Sequence, residues 1–195
     1  MTKTPLVVGL MLYGITMLAF FVVYYFFANI NYYHTSSVIN AFIMPFLYSI
    51  GAFLSVYWYR GKGKITYPQA FKQSFTNLFV GGSLSLLSIF AFLNYVDTDA
   101  RDMLNKQYIQ LELYKLDQSY AQQRKEALHL KDPQKVIALD ENYKKMKEAR
   151  LEALKENRNY FSFSFISAIF GGFVLFYLLL SIVIAAFLKN KKRYE

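Results

Sequence analysis

The residues able to do chemistry are few and scattered. There is no cysteine in the 195 residues, and only two histidines, His34 and His129. A structural or catalytic zinc site needs three or four converging ligands, commonly at short fixed spacings. Neither histidine stands in HExxH or pairs with another, so a metal reading has nothing to rest on. The run Gly61-Lys62-Gly63-Lys64 has the right residue types for a phosphate loop. It lacks the GxxxxGK[ST] spacing that lets backbone N–H groups encircle a phosphate. No serine stands in a GxSxG turn. An active site would have to bring Asp97, Asp99 and His34 together from different segments. The expectation is therefore no catalytic, metal-binding or cofactor-binding residues, and a protein that is not an enzyme.

The formal net charge of +9 invites a nucleic-acid reading. Charged residues are only 18% of the chain, however, while hydrophobic residues are 55% and the mean hydropathy is +0.20. An ordinary soluble basic domain is more polar than this. The charges and the apolar residues must lie in different places, and no nucleic-acid partner is expected.

A helix needs about 20 apolar residues to cross the ~30 Å hydrocarbon core of a bilayer. Four stretches qualify: about 6–28, 38–59, 75–96 and 161–188, none of them containing Asp, Glu, Lys, Arg or His. The first is too long for the apolar core of a signal peptide. Tyr24, Tyr25, Phe26 and Phe27 stand where small residues would mark cleavage, so it is expected to remain as an anchor. Lipid admits only backbones that satisfy their own hydrogen bonds, which makes these four segments spanning helices.

Orientation follows from the short loops. Residues 29–37 carry no Lys or Arg, whereas the 60–72 loop carries Arg60, Lys62, Lys64 and Lys72. Lys3 precedes the first span, and Lys189, Lys191, Lys192 and Arg193 follow the last. The positive-inside rule places both termini and the basic loop in the cytoplasm. Trp58, Arg60, Lys62 and Lys64 then sit at the inner headgroup level, where basic residues attract anionic lipid at about 1 kcal/mol each.

Between the third and fourth spans, residues 97–160 have a different composition. They hold twelve of the thirteen acids and thirteen of the 22 bases, with no Gly and one Pro. Strong helix formers dominate, so helix is expected. Ile109, Leu113, Leu116 and Tyr120 form one apolar stripe, and Leu104, Tyr108 and Leu111 an adjacent one. Asp132-Pro133 reads as the N-cap and first residue of a second helix, running to about Asn159 with Val136, Leu139, Tyr143 and Met146. Two helices of some 28–32 residues would project roughly 40–45 Å as an extracytoplasmic hairpin. Either both stripes close within the hairpin, or Leu104, Tyr108 and Leu111 are spare and dock a partner or a second copy.

Within the membrane, chemistry usually shows as ionisable residues, and none is present at mid-depth. What remains is packing. Ser164, Ala168 and Gly172 recur every four residues beside Gly171, and Gly81, Gly82 and Ser85 give the third span a similar small face. Small-xxx-small ridges let backbones approach, so the third and fourth spans are expected to touch there, with an oligomer contact as the alternative. Pro45 is expected to kink the second span. Asn77, Ser83, Ser85, Ser88 and Asn94 are the polar groups that a small oligomeric transporter or pore would use.

Thr66 and Gln69 frame a capping box ahead of Pro68, at the start of the third helix. The run Gly63, Ile65, Tyr67, Gln69, Ala70, Phe71 then leads into a Gly- and Ser-bearing span. A charged helical insertion and a last span ending Ala185 to Lys192 (AAFLKNKK) complete a pattern. It resembles the small four-span membrane proteins of Bacteroidota known as domain of unknown function 4199. The resemblance covers nearly the whole chain and implies a bacterial inner membrane with a periplasm-facing hairpin. It brings no catalytic residues. That family often has a Pro shortly before the last span. Here Asn157-Arg158-Asn159-Tyr160 stands in its place, which leaves room for the hairpin to run unbroken into the fourth span.

The sequence thus reads as an all-α integral membrane protein: four transmembrane helices and a long extracytoplasmic helical hairpin between the third and fourth. Its expected contacts are the lipid bilayer and other membrane or periplasmic subunits or itself. An accessory or assembly subunit is the expected role.

Overall fold

The computed structural model describes residues 4–29, 31–130 and 132–190. Lys3 and the tail residues Lys191, Lys192 and Arg193 lie outside them. Every described element is a helix. Helix α1 is Pro5–Phe27; the Thr4 hydroxyl oxygen accepts the Val7 N–H at 3.5 Å, and Pro5 fills the first turn, where its missing N–H is harmless. Helix α2, Tyr32–Val38, passes through a π-helical turn, Ile39–Ile43, into α3, Met44–Arg60. Helix α4, Tyr67–Ala91, likewise ends in a π-helical turn, Phe92–Val96. Then come α5, Thr98–His129, α6, Pro133–Lys155, and α7, Phe163–Leu188.

Four helical rods are long and apolar enough to cross a membrane: Pro5–Phe27, Tyr32–Arg60, Tyr67–Val96 and Phe163–Leu188. The chain is a multi-pass membrane protein whose spans contact lipid. The second span begins some six residues before its expected start. Tyr32 is 1% exposed against α5 and its neighbours, and that tertiary burial overrides a polar stretch that reads as a loop. Pro45 acts through the backbone. It has no N–H, and the turn just before it widens to π geometry, with Met44 N–H bonding Ile39 O.

Helix α4 lies at the centre and packs against α1, α3 and α7. Helix α3 also touches α1 and α7, but α1 and α7 do not meet among the described residues. The α1–α4 contact rests on two glycines. A Cβ built on Gly81 would lie 2.9 Å from the Gly9 carbonyl oxygen, and one on Gly9 would lie 3.0 Å from that of Asn77. Hydroxyls bridge the other helices: Ser74 Oγ donates to Ser181 Oγ at 3.2 Å, and Ser55 Oγ to Gln73 O at 3.1 Å. In hydrocarbon, close packing and such bonds replace the hydrophobic drive.

The small ridges do not mesh as expected. Gly81 meets α1, and Gly82 lies against the Tyr177 ring of α7. Ser164, Ala168, Gly171 and Gly172 are all exposed, and a Cβ on either of these two glycines would touch nothing within 4 Å. The α4–α7 contact exists, but at Gly82 it is made by a large ring on a small floor, and the small-on-small contact lies elsewhere, at Ser74 and Ser181. One large residue fills the gap that a second small ridge would have closed.

At the end opposite the hairpin, two distant motifs meet. Ile65 N–H donates to Asn190 Oδ1 at 2.8 Å, and Asn190 N–H returns a bond to Ile65 O at 3.1 Å. Beneath this clasp Val56, Ile65, Ala70 and Ala185 are buried together. The expected capping box of Thr66 and Gln69 is formed, with Gln69 Oε1 accepting from Thr66 N–H and from its hydroxyl, each at 3.0 Å. Lys189 Nζ lies 5.7 Å from the Tyr67 ring centre, while Lys62 and Lys64 are exposed, Arg60 and Trp58 partly so.

Candidate functional site at the hairpin base

Helix α5 of 32 residues spans about 48 Å and α6 of 23 residues about 35 Å, so the two arms are unequal. The hairpin does not run unbroken into the fourth span. Helix α6 ends at Lys155 with Asn157 at φ 50°, and Arg158 N–H reaches back to Ala153 O at 3.0 Å. That is a left-handed helix stop, a role asparagine takes more readily than bulkier residues. At the other arm, Asp97 caps α5 by accepting the Ala100 N–H at 3.0 Å.

The base of the hairpin is welded to the spans. Leu104 is 5% exposed and packs with Val23, Tyr32, Leu93 and Ala100. The Tyr108 ring lies between those of Tyr33 and Tyr160, at 5.6 and 5.2 Å. Leu111 is half-buried. The stripe expected to be spare is therefore largely consumed inside the chain, because α2 rises to cover it. Ile109, of the other stripe, is 2% exposed, so both stripes are used.

Amide side chains complete the weld. Gln107 accepts the Tyr33 N–H at 2.7 Å and donates to Asn29 O at 2.6 Å. Asn94 Nδ2 donates to Phe161 O, and Asn159 Nδ2 donates to Asn94 Oδ1. Asn105 accepts the Tyr160 N–H, and Asn157 donates to Asp102 at 2.6 Å. Tyr24 Oη donates to Asp97 at 2.5 Å; this bond, then that from Ala100, holds the Asp97 carboxyl below its ordinary value. Sequence reasoning missed this layer, apart from placing Asn94 in a pore. Its signal, amides gathered at span boundaries, becomes visible only once the loops are positioned.

Further out, the arms close through a repeated pattern, Asp-x-x-Tyr-x-x-x-Arg/Lys. Asp117, Tyr120 and Arg124 of α5 answer Asp140, Tyr143 and Lys147 of α6. The two rings stack with centres 4.0 Å apart. Each hydroxyl donates to the other arm's carboxylate, Tyr120 to Asp140 and Tyr143 to Asp117, both at 2.7 Å. Arg124 pairs with Asp140 at 3.2 Å and Lys147 with Asp117 at 3.1 Å. An antiparallel pair of identical patterns is self-complementary, so each kind of pairing is made twice.

Both carboxyls are held below the usual carboxylate value, Asp117 first by the Tyr143 hydroxyl and then by Lys147, Asp140 first by the Tyr120 hydroxyl and also by Arg124. A carboxyl more acidic folded than unfolded adds stability that is complete above the unfolded value, near 4, and is lost as pH falls through the folded value. Amide-exchange protection of residues 117–147, corrected for intrinsic rates, should stay flat from about pH 7 to about pH 5 and fall only below about pH 4. Asp117→Asn with Asp140→Asn should remove that acid limb. Protection lost between pH 7 and 5 would show that other groups hold the arms.

Beneath the weld, inside the spans, a cavity of about 690 Å³ opens between α3 and α7, with α4 as its floor. A smaller one, about 180 Å³, lies between α1 and α2 and shares Thr16, Asn40, Met44, Ile89, Leu93 and Phe161 with it. Of the five residues assigned to a pore, Ser85 alone lines either cavity. Asn77 is fully buried, Ser88 Oγ lies 3.1 Å from the Tyr13 hydroxyl, and Asn94 serves the weld. No three His, Cys, Asp or Glu side chains gather as a metal site among the described residues, Asp97, Asp99 and His34 included.

A family model described as a protein of unknown function (DUF4199) matches residues 8–190. No match was found among curated proteins or solved structures.

Proposed function

As the chain belongs to the DUF4199 family of proteins of unknown function, we propose its role from the fold: a non-enzymatic bacterial inner-membrane protein that holds a rigid periplasmic hairpin for a partner subunit. In this reading it is an accessory or assembly component, with both termini cytoplasmic. The observation that carries it is the division of the hairpin. Its base is welded to the spans, while Leu128, Leu130 and Ile137, near the turn, are 54%, 66% and 60% exposed. Apolar groups held out at the end of a long arm are costly in water and fit a surface that a second protein covers. The partner contact moves accordingly from the base stripe to the turn end. The positive-inside pattern supports the orientation.

A small oligomeric transporter or pore is the second reading, and Ser85 in the cavity wall is its support. A liposome flux assay addresses it: transport above the lipid background would favour it over the subunit reading.

The absence of cysteine gives a clean test. In intact cells, Gln123→Cys should react with a membrane-impermeant maleimide, and Lys62→Cys only after permeabilisation. A photocrosslinker at Leu130 or Ile137 should then capture one defined protein, and at Leu10 in α1 should not. Labelling of Lys62→Cys from outside, or no adduct at the turn end, would sink the proposal.

A further inference from the structure

We propose that the cleft between α3 and α7 is a lipid-binding site, taking one acyl chain of a phospholipid from the leaflet on the hairpin side. The cleft occupies the hairpin half of the spans: Met44, Pro45 and Tyr48 form one wall, residues 166–177 of α7 the other, and residues 82–90 of α4 with Leu93 of the following π-helical turn the floor. Its inner end is closed by the Tyr48 and Tyr177 rings, stacked at 5.7 Å and 10°, above the buried cluster of Leu12, Ala52 and Leu78. Its volume of about 690 Å³ falls within the range of ordinary ligand sites, roughly 300–1,000 Å³.

The wall chemistry selects the occupant. No charged side chain lines either cavity. In the larger cleft the Thr16 and Ser85 hydroxyls are turned inward to their own helices, Thr16 Oγ1 to Leu12 O and Ser85 Oγ to Gly81 O, both at 2.8 Å, while Tyr32, whose buried hydroxyl has no partner among the described residues, lines only the smaller cavity. A polar substrate would lose its water and find few free donors, which is costly. A hydrocarbon chain gives up no hydrogen bond on entry. The opening is also continuous with a surface already facing lipid: Leu175 and Leu179, on the same helix, are 63% and 65% exposed.

The mouth is built differently. Asn40 belongs to one π-helical turn and Leu93 to the other, and both line both cavities. Such turns are rare and tend to occur at functional sites. Asn40 is exposed, with Ser36 and Ser37 beside the smaller cavity. These neutral groups lie near the hairpin end of the spans, at the level of a lipid's ester oxygens. They read the ester linkage, not headgroup charge.

Two adjacent glycines make the test specific. Gly172 lines the cleft and Gly171 does not, yet an added Cβ meets nothing within 4 Å at either. The full-length protein is placed in phosphatidylethanolamine vesicles carrying a trace of phosphatidylcholine with a diazirine on its acyl chain, illuminated, and mapped by mass spectrometry. Adducts should concentrate on Met44, Ile169 and Phe176, not on Leu175 or Leu179. Gly172→Leu, which fills the cleft, should lower cleft labelling about tenfold, and Gly171→Leu should leave it unchanged. Exchanging the bulk lipid for phosphatidylglycerol should also leave it unchanged. Even labelling around α7, insensitivity to Gly172→Leu, dependence on headgroup charge, or chain-to-chain adducts through the cleft would each overturn the proposal. The mapping on the unaltered protein decides without any variant.

Discussion

Gly81→Val should destabilise the bundle by about 1–3 kcal/mol, the usual cost of forcing atoms into a packed contact. The cause is backbone on backbone. The first added carbon would lie 2.9 Å from the Gly9 carbonyl oxygen and 3.1 Å from Leu12 Cβ. A carbonyl within a helix cannot swing aside as a side chain can, so α1 must move away from α4. Gly171→Val, in the same kind of helix with nothing within 4 Å, is the matched control and should change stability by under about 0.5 kcal/mol. Titration with dodecyl sulfate in mild detergent, followed by the single tryptophan Trp58, reads the difference. Equal midpoints for the two variants would show that the glycine contact does not hold the helices together.

Leu104→Ala should loosen the hairpin base by about 2–5 kcal/mol, as for other large-to-small changes in packed cores. Leu104 shares its cluster with side chains from α1, α2 and the π-helical turn after α4, so the cavity cannot be filled by moving one neighbour. Hydrogen exchange separates this from general unfolding. Protection of residues 98–110 should drop, while the seam around Tyr120 and Tyr143, which shares no side chain with the cluster, should keep its own. Leu111→Ala, at a half-buried position, should cost much less. If the two variants behave alike, the base is not anchored through Leu104.

Much of this fold is legible from local chemistry. Uninterrupted apolar runs of membrane-spanning length, a Pro after Asp132 and a polar segment rich in helix formers each fix an element from its own residues. The readable errors have physical causes. Residues 32–37 are polar and suggest a loop, yet they are helical because α5 buries Tyr32 and Gln107 binds the Tyr33 N–H. The repeated Asp-x-x-Tyr-x-x-x-Arg/Lys pattern lies across the apolar stripes of both arms. It gains meaning only when the antiparallel register sets each tyrosine against the other arm's aspartate.

The fate of each small residue could not be read this way. Gly81 and Gly172 look alike in a one-dimensional pattern, since both belong to ridges that permit close approach. One is pressed against a carbonyl and the other faces a cleft. Composition and hydropathy determined that the chain crosses a membrane by helices and carries a charged hairpin, because transfer into hydrocarbon depends on each segment's own atoms. Tertiary structure alone decided which stripe is covered, where the lateral cleft opens and which polar groups are already satisfied. Those are properties of pairs of helices, set by the angle and depth at which they meet.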